Sequence, residues 1–496
     1  DKGQYVSIRT TELESREAVL AVRAEHFVQY VSKLPPPLDA REKGRLHTTI
    51  DAGLQQIVQN LLDNRLKDLS NRGAKNGAVL IVDHRRNEVL AWVNSGAGLG
   101  DVPASWIDAV TTPRQPGSTL KPLLYAHAFE KGWTAATLVD DSPLSESVGR
   151  GLHAYHNYSR IHYGPLRVRE ALGNSLNIPA VRAVQFVGVA EFLACLHELG
   201  IRSLQQHPDY YGDGLALGNG EITLLELVRA YTVLARQGTY RPLNFFLTEA
   251  PRREEIRRIF SAETASLIGN ILSDPEARRL EFGNGSLLRF PVQTAVKTGT
   301  SSDYRDAWAV GFNHGFTVGV WVGNLDHNAT DGVTGANGPA LVLRSVLAEL
   351  NRHQETRPLY LSPRLVQAEI CRNTGLQADG HCASLTEWFV PGNGPKTETM
   401  AAKDRMPVYL RHPTQGMQLA MDPRIADDRE AFVFRLANLP QSTPVDWYVD
   451  DRLVGSTTIS EYLWPLQRGV HSVRARMWPA NSGYFKETPA VSFIVK

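Results

Sequence analysis

Three short segments combine hydroxyl, amine and amide side chains at spacings that suit nucleophilic catalysis. In the first, Ser118 and Lys121 stand three positions apart in the run Pro-Gly-Ser-Thr-Leu-Lys-Pro. Pro122 fits only the first turn of a helix, so the sequence predicts Ser118 at or beside a helix N-terminus, with Lys121 on the same face. The amine can then take the serine proton if burial or a neighbouring cation lowers its pKa. Alone the pattern is weak, because a capped helix with a surface lysine produces it too.

The second and third segments supply groups that would complete such a site. Ser175 and Asn177 lie two positions apart, and their hydroxyl and amide can hydrogen-bond an ammonium group and relay a proton. Residues 297–300 close a strand-like run, in which Gly299 lets a substrate backbone lie close and Lys297 offers a positive charge for a carboxylate. Each pattern occurs once, in the order S-x-x-K, S-x-N, K-T-G. Together they predict a serine acyl-transfer site.

Capped helices and an antiparallel sheet must position these groups. Apolar residues at helical spacing predict a helix over residues 54–69. A capping box that begins at Thr223 opens another helix that ends near Gly238, so residues 218–220 are a turn and only a weak phosphate-loop candidate. The predicted strands are residues 77–82 and 88–93, which form a hairpin, followed by residues 292–300, 307–312 and 316–322.

Length, charge and hydropathy limit the classes of function. With 496 residues the chain exceeds one ordinary core, and about three units are expected. The 53 basic and 52 acidic side chains give a net charge of +1, which argues against nucleic acid or an anionic membrane as the main partner. No run approaches the roughly 20 apolar residues that cross a bilayer. The chain begins with neither a methionine nor a signal peptide, so a processed or truncated form of a longer protein is expected.

The C-terminal part has a different composition. Residues 352–409 are predicted to form a linker, and residues 410–496 contain short strands that predict a small all-β sandwich of immunoglobulin-like type. For Cys371 and Cys382, a disulfide is favoured over a zinc site, because the region lacks two further ligands at C-x-x-C spacing. That disulfide would indicate an oxidising compartment. Cys195 lies in an apolar helical pattern, which predicts a buried, inert thiol.

Other polar and aromatic clusters carry weaker predictions. His153, His156 and His162 share one loop, but no acidic or cysteine ligand completes a set, so we expect no metal and favour groove lining or loop packing. Arg305 and Asp306 are either groove-edge residues or a structural ion pair. The tryptophans of the C-terminal module are predicted to be core rather than interface residues: Trp447, Trp464 and Trp478.

The three motifs together resemble the signature of serine β-lactamases and penicillin-binding proteins. The chain resembles the penicillin-binding transpeptidase fold over residues 46–351, and the runs LHTTIDAGLQQIVQNLL and KTGTSSDYRDAWAVG look like the bifunctional class A proteins. Within that class, residues 304–308, the cysteine-bearing segment and residues 446–449 look most like the 1C type. The resemblance implies an α/β fold, serine β-lactamase-like, in which helices cover an antiparallel sheet.

Class A proteins also have an N-terminal membrane helix and a glycosyltransferase domain. The sequence shows no E-D-x-x-F glycosyltransferase signature, and residues 1–45 look like the linker that follows that domain. We therefore expect a periplasmic chain of the cell envelope, whose full-length form is anchored in the inner membrane by a helix absent from this sequence.

The family roles carry over residue by residue. By resemblance, Ser118 is the acylated nucleophile and Lys121 is its base. Ser175 relays the proton toward the leaving amine, and Asn177 holds Lys121 and the substrate amide.

The same resemblance assigns the substrate-binding groups of the K-T-G segment. Lys297, Thr298 and Thr300, together with the intervening Gly299, would bind the terminal carboxylate. The backbone N–H groups of Ser118 and Thr300 would form the oxyanion hole.

The resemblance implies a D,D-transpeptidase that cross-links peptidoglycan stem peptides ending in D-Ala-D-Ala, needs no cofactor, and is acylated and inhibited by β-lactams. No E-x-x-L-N pattern follows the S-x-N element, which argues against a hydrolytic β-lactamase. Three alternatives stay open: a D,D-carboxypeptidase, a penicillin-sensing or silent binding protein, and a vestigial enzyme whose C-terminal module recruits a partner. By resemblance to the 1C type, that partner would be an envelope protein such as a bacterial α2-macroglobulin.

Overall fold

The computed structural model describes residues 23–35, 41–42, 45–95, 102, 104–148, 151–247, 256–284, 286–397, 408–419, 421, 430–437, 439, 443–478 and 485–496. In this part of the chain the helices are α1 (Glu25–Val31), α2 (Ala52–Asp68), α3 (Lys121–Glu130), α4 (Val168–Gly173), α5 (Asn177–Val187), α6 (Val189–Glu198), α7 (Pro208–Tyr211), α8 (Leu224–Ala235), α9 (Ala262–Ser273), α10 (Arg279–Phe282) and α11 (Pro339–Leu350).

The strands are β1 (Arg41–Glu42), β2 (Arg45–Leu46), β3 (Asn76–Asp83), β4 (Glu88–Asn94), β5 (Leu138–Asp141), β6 (Leu144–Val148), β7 (Gly151–Tyr155), β8 (Gly164–Arg167), β9 (Thr239–Tyr240), β10 (Arg257–Arg258), β11 (Ala295–Thr300), β12 (Asp306–Phe312), β13 (Phe316–Gly323), β14 (Val366–Cys371), β15 (Ser384–Phe389), β16 (Tyr409–His412), β17 (Met417–Leu419), β18 (Ala431–Ala437), β19 (Val445–Val449), β20 (Arg452–Thr457), β21 (Glu461–Pro465), β22 (Gly469–Met477), β23 (Lys486–Glu487) and β24 (Val491–Val495). The chain divides into two compact units, residues 1–395 and residues 396–496.

A five-stranded antiparallel sheet, in the order β11-β12-β13-β3-β4, forms the centre of the first unit. Its β3–β4 hairpin and its three later strands confirm the predicted strands. Successive residues of β3 point to opposite faces. Leu80 and Val82 pack in one core with α3, α5 and α8, whereas Val79 and Ile81 pack in a second core with α2 and α11. Helices therefore cover both faces of the sheet, as the predicted fold class requires.

Side-chain caps begin several of these helices, among them α2 and α8. Asp51 accepts a hydrogen bond from the backbone N–H of Leu54 at 2.9 Å and so caps α2. Thr223 and Glu226 form the predicted capping box of α8: the Glu226 N–H donates to Thr223 Oγ1 at 3.1 Å, and the Thr223 N–H donates to the Glu226 carboxylate at 2.9 Å. The local sequence therefore sets where these helices start.

Part of the N-terminal segment packs on the first core. The sequence predicts a connector over residues 1–45, of which residues 1–22, 36–40 and 43–44 lie outside the described residues. In α1, Phe27 and Val31 are buried, and the Phe27 ring lies 6.0 Å from that of Trp92 and 6.5 Å from that of Phe245. This short helix thus belongs to the folded unit.

The predicted linker contains a hairpin. Strands β14 and β15 pair antiparallel, and Ile370 and Phe389 form a small core with Ala136 of the first unit. Cys371 at the end of β14 forms a disulfide with Cys382, with the two Cα atoms 5.5 Å apart. The hairpin was not predicted, because the Pro, Gly, Asn and Thr content of residues 352–409 indicates loops, although apolar and polar residues alternate over residues 366–370.

The second unit is built from strands only in its described residues. One sheet has the order β16-β18-β21, and the other has the order β17-β24-β22-β19-β20, with β23 paired to β22. Trp447 and Trp464 are buried in its core, as predicted, whereas Trp478 is 44% exposed. The prediction of short strands in this part of the chain is confirmed, since each described element of the second unit is a strand.

Among the described helices, none alone has the length and hydropathy of a membrane span. The consecutive helices α5 and α6 pass that test as a pair, although they meet at an angle of 91°.

Candidate active site

The turn that carries Ser118 is a 3-10 helix over Gly117–Leu120 that runs directly into α3. Pro122 lies in the first turn of α3, where its missing N–H costs no hydrogen bond, so the predicted position of Ser118 beside a helix N-terminus is confirmed. Thr119 Oγ1 donates to Pro116 O at 2.9 Å, and Tyr231 OH donates to Thr119 O at 2.7 Å. These bonds hold the turn in place around the half-buried Ser118.

Two glycines let other backbone segments lie against this turn. A Cβ atom on Gly299 would lie 2.3 Å from Pro116 O, and one on Gly218, whose φ is +75°, would lie 2.3 Å from Gly117 O. No side chain fits at either position. The sequence predicts that Gly299 makes room for a substrate backbone. In the structure its missing side chain makes room for the serine turn, and Gly299 also lines the groove that contains Ser118.

Lys121 is fully buried and donates three hydrogen bonds. Its Nζ contacts Ser175 O at 2.6 Å, Leu176 O at 2.9 Å and Asn177 Oδ1 at 2.7 Å. Asn177 is itself fixed, because its Nδ2 donates to His156 O at 2.7 Å. The S-x-N segment therefore holds the lysine of the S-x-x-K segment.

The environment of Lys121 suits an amine that gains and loses a proton. Burial lowers its pKa to about 7, while the carboxylates of Asp141 and Glu281 act in the opposite direction. The three oxygens that accept its hydrogen bonds also favour the ammonium form. A neutral amine would keep two of these bonds and would present a lone pair as a base.

Ser175 lies between two lysine side chains. Lys297 Nζ donates to Ser175 Oγ at 2.7 Å and to Thr298 O at 2.8 Å, while Lys121 donates to the carbonyl oxygen of Ser175. The backbone of Ser175 has a φ of +61°, a left-handed conformation that costs about 1–3 kcal/mol in a non-glycine residue. Because Oγ accepts from Lys297, its own proton is available for another acceptor.

Lys297 is buried and close to other cations. Burial lowers its pKa well below the usual range, and the charges of Lys121 and Arg278 lower it further. The sequence predicts a fixed positive charge for a carboxylate at Lys297. In the structure burial and the two neighbouring cations disfavour this charge, and an anion bound nearby would raise the pKa of Lys297 and so favour the ammonium form.

Ser118, Ser175, Asn177, Thr298 and Thr300 line one groove of about 850 Å³. Lys121 and Lys297 stand behind its wall with exposed fractions of 0% and 3%. The hydroxyl of Thr300 accepts a hydrogen bond from the Gly335 N–H at 3.1 Å. The groove thus combines a serine hydroxyl at its surface with two buried amines that contact a second serine.

A family profile described as the penicillin binding protein transpeptidase domain matches residues 77–337, more than half of the chain. The chain belongs to this family. A second profile, the penicillin-binding protein C-terminus family, matches residues 397–476 of the second unit.

Relatives of this transpeptidase chain agree with both profiles. Penicillin-binding protein 1C of Escherichia coli (strain K12) is 31% identical over 438 residues, which are 84% of this chain and 54% of that protein. Penicillin-binding protein 1A of Clostridium botulinum (strain Hall) is 28% identical over 357 residues, 67% of this chain and 42% of that protein. The chain therefore spans about half the length of these curated relatives. The predicted resemblance is confirmed.

Solved structures show the same fold. Penicillin-binding protein 1A from Haemophilus influenzae aligns with a TM-score of 0.57 and 25% identity over 65% of this chain and 54% of that one. PonA1 of Mycobacterium tuberculosis in complex with penicillin V aligns with a TM-score of 0.52 and 21% identity over 63% of this chain and 87% of that one. The predicted fold class is confirmed.

The transpeptidase groove contains an acidic residue that the sequence did not predict. Glu281 on α10 lines the groove, and its Oε1 accepts from Ser159 Oγ at 2.6 Å and from Tyr163 OH at 3.0 Å. Its N–H donates to Oδ1 of Asn174, the neighbour of Ser175, at 2.9 Å. The two residues are 107 positions apart, and no short motif marks either of them.

A second unpredicted carboxylate lies close to Lys121. Asp141 accepts two hydrogen bonds of 2.8 Å from Asn157 Nδ2, and the Asn157 amide oxygen accepts from the Asn177 N–H at 2.9 Å. Burial raises the pKa of Asp141. This chain of contacts connects Asp141 with the S-x-N segment.

The next candidates are Arg305 and Asp306, which contact other residues of the fold. Asp306 is buried and accepts from Trp321 Nε1 at 3.0 Å and from Ser301 Oγ at 3.1 Å, whereas Arg305 lies 3.8 Å from Asp303. Asp306 is therefore a buried structural acceptor.

The cysteines and histidines were the other candidates. Cys195 is buried, as predicted, and burial raises the pKa of its thiol to about 12. The side chain of His153 lies outside the described residues. Within the described residues, the one cluster of possible metal ligands is Cys371, Asp379 and Cys382, and its two sulfur atoms form the disulfide.

Proposed function

We propose that this chain catalyses D,D-transpeptidation of peptidoglycan stem peptides through an acyl-enzyme on Ser118. The observation that carries the proposal is the set of contacts from Asn177 to Lys121 and from Lys297 to Ser175 at one groove. Family membership supports the reaction class. The complex of PonA1 with penicillin V supports β-lactams as ligands of this chain too.

In acylation, Ser118 Oγ attacks the carbonyl carbon of the penultimate D-Ala, and the neutral Lys121 amine accepts the hydroxyl proton. The lowered pKa of Lys121 supports this role at neutral pH. The oxyanion would be stabilised by the backbone N–H groups of Ser118 and Thr300. The substrate carboxylate would lie against Thr298 and Thr300, near Lys297.

Collapse of the oxyanion breaks the C–N bond, and Ser175 gives its proton to the leaving nitrogen. The Lys297 ammonium replaces that proton through its contact of 2.7 Å with Ser175 Oγ. Lys121 is now charged and Lys297 is neutral. The acceptor amine then attacks the ester carbon and gives a proton to Ser175. Ser175 returns a proton to Lys297. Lys121 returns its proton to Ser118, which leaves as the ester bond breaks. The pair holds one positive charge before the attack and after the collapse, and two only while the oxyanion balances the second; the mutual repulsion of the two amines favours the return to one charge.

Carboxypeptidation is the second candidate reaction, because water can replace the amine in the last step. A sensor would stop at the acyl-enzyme. The groove of about 850 Å³ around Ser118 favours the transpeptidase, since it leaves room for an acceptor beside the donor.

The decisive experiment replaces Ser118 by alanine and measures the penicillin adduct by intact-mass spectrometry. We expect Ser118→Ala to abolish the adduct completely, because the hydroxyl is the acylated group. Ser302→Ala is the matched control, since Ser302 lines the same groove. An adduct that persists in Ser118→Ala would refute the assignment of Ser118 as the nucleophile. A second experiment measures turnover of a D-Ala-D-Ala peptide with and without an acceptor amine, which distinguishes an enzyme from a penicillin sensor.

We also propose a periplasmic location in the cell envelope, which the relatives support. The second unit, which matches the penicillin-binding protein C-terminus family, is proposed as a module that binds another envelope protein, such as a bacterial α2-macroglobulin. Crosslinking of the intact chain in envelope preparations tests both statements.

A further inference from the structure

An acidic side chain lies beside the S-x-N segment, on the wall of the groove that contains Ser118. Glu281 belongs to the short helix α10, and it lines the groove together with Ser175. Its charge acts on the buried amine of Lys121, whose pKa it raises against the effect of burial. The Glu281 carboxylate is therefore within electrostatic reach of the groups that move protons at Ser118.

The position of α10 is fixed by Asn174, the residue before Ser175. Its Nδ2 donates to Ala277 O at 2.8 Å, and its Oδ1 accepts from the Glu281 N–H at 2.9 Å. A Cβ atom on Gly173 would lie 2.3 Å from Ala277 O, so a glycine is needed for the two segments to lie this close. Both ends of the Asn174 amide thus hold the segment that carries Glu281 against the S-x-N segment.

One oxygen of the Glu281 carboxylate is held by the protein, and the other is free. Oε1 accepts from Ser159 Oγ at 2.6 Å and from Tyr163 OH at 3.0 Å, and these two bonds set the orientation of the carboxylate. Within the described residues, Oε2 accepts no hydrogen bond, and no basic side chain pairs with the carboxylate. Oε2 is not buried. It can therefore accept a charge-assisted hydrogen bond from a cation in the groove.

The charge of the groove lining favours a cation over an anion. Among the described residues that line the groove, three have carboxylates, Asp209, Asp213 and Glu281, and none is a lysine, an arginine or a histidine. The side chain of Asp209 is 92% exposed, and Asp213 accepts from Gln185 Nε2 at 2.8 Å. The lining therefore attracts a positively charged group, and the carboxylate fixed next to Ser175 is that of Glu281.

We propose that Glu281 binds the ammonium group of the acceptor and so favours an amine over water as the nucleophile that resolves the acyl-enzyme. The inference rests on the transpeptidation proposed above, in which the acceptor amine gives a proton to Ser175. The bound ammonium first loses one proton to the solvent. The neutral amine then forms the C–N bond and gives its second proton to Ser175 as the ester bond to Ser118 breaks. Water carries no positive charge, so Glu281 gives it no comparable advantage.

The test measures how the acyl-enzyme is divided between an amine and water. The full chain is incubated with a D-Ala-D-Ala peptide and subsaturating glycinamide, and mass spectrometry quantifies the amide product and the hydrolysis product. Both products come from the same acyl-enzyme, so their ratio does not depend on how fast Ser118 is acylated. We expect Glu281→Gln to lower the ratio of amide to hydrolysis product about tenfold, because the charge is lost. The glutamine oxygen can still accept from Ser159 and Tyr163, which preserves the local structure.

Two controls distinguish a local contact from a general effect of charge. Asp209→Asn removes another carboxylate of the lining, and it should change the ratio by less than about twofold, because this side chain is exposed to water. Glycolamide, in which a hydroxyl replaces the amine, is the neutral acceptor. Glu281→Gln should change the ratio of glycolamide ester to hydrolysis product by less than about twofold. In the parent chain, the half-saturating concentration of glycinamide should be about tenfold below that of glycolamide, a measurement that needs no variant.

An unchanged ratio of amide to hydrolysis product in Glu281→Gln, or an equal fall in Asp209→Asn, would overturn the inference. A raised KM for the D-Ala-D-Ala peptide with an unchanged half-saturating concentration of glycinamide would also overturn it, since Glu281 would then bind the donor. Equal half-saturating concentrations of glycinamide and glycolamide in the parent chain would contradict it even if the variant failed to fold. If neither product forms, the proposed transpeptidation fails and the inference fails with it, whereas hydrolysis without preference for the amine refutes the inference alone.

Discussion

The central sheet of the first unit is buried on both faces, whereas the strands of the second unit alternate between core and solvent. All residues of β3 and β13 are buried. In β22, by contrast, Val473 and Ala475 are buried, and Arg474 and Arg476 between them are half-buried at the surface. A charged group in the first sheet must therefore be neutralised or paired, while a charged group in the second unit can stay in contact with water.

Because of this difference, the buried amines of the first unit suit proton transfer, whereas the surface cations of the second unit suit binding. Burial lowers the pKa values of Lys121 on α3 and of Lys297 on β11, because both amines are kept away from water. The arginines of β22 instead stack on aromatic rings, with Arg474 4.6 Å and Arg476 4.9 Å from the centre of the Tyr448 ring. Such surface cations suit recognition of a partner and not acid–base catalysis.

The largest expected effect of this contrast concerns a buried ion pair in the first unit. Arg169 on α4 donates from Nε and Nη2 to Glu387 on β15, each at 2.6 Å, and both side chains are buried. Arg169→Met leaves the Glu387 carboxylate buried without its partner. We expect the free energy of unfolding to fall by about 3–5 kcal/mol, measured by calorimetry of the first unit.

The matched control is an exposed pair in the second unit. Arg435 and Glu461 face each other across β18 and β21, 3.1 Å apart, with side chains 46% and 48% exposed. Arg435→Met should cost less than about 1 kcal/mol. Equal losses of unfolding free energy in the two variants would contradict the proposed difference between the two units.

The pH dependence of acylation should show the lowered pKa of Lys121. The neutral amine is the base, so the rate of penicillin acylation should rise about tenfold per pH unit below pH 7 and level off above it. A profile that keeps rising toward pH 10 would show an unperturbed lysine. Stopped-flow acylation at constant ionic strength measures it.

The same pKa also predicts the sign of a stability change. Between about pH 7 and pH 10, Lys121 binds fewer protons in the folded state than in the unfolded state, so the free energy of unfolding should rise with pH. Lys121→Met should reduce that rise. An unchanged slope in this variant would mean that Lys121 is charged in the folded protein.

The sequence predicts contacts between residues that are close together in the chain, and it does not predict contacts between distant residues. The motif residues, the capping box at Thr223 and the sheet strands are set by patterns within a few residues. The Arg169–Glu387 pair joins residues 218 positions apart, and a single sequence records no such contact. Glu281 was missed for the same reason. For Gly299, the strand pattern shows that another backbone can lie close, but not that the serine turn does so.

The smallest expected effect concerns Trp478, the exposed tryptophan of the second unit. Its Nε1 donates to Asp446 Oδ2 at 2.9 Å, and its ring lies 5.5 Å from that of Phe485, but the side chain is 44% exposed and leaves no buried cavity when removed. Trp478→Ala should therefore lower the free energy of unfolding by about 1 kcal/mol or less. Trp447→Ala is the reference variant, because Trp447 is fully buried and its removal should cost about 3–5 kcal/mol. If Trp478→Ala proved as destabilising as Trp447→Ala, Trp478 would belong to the core of this unit and would be unsuited to contact a partner.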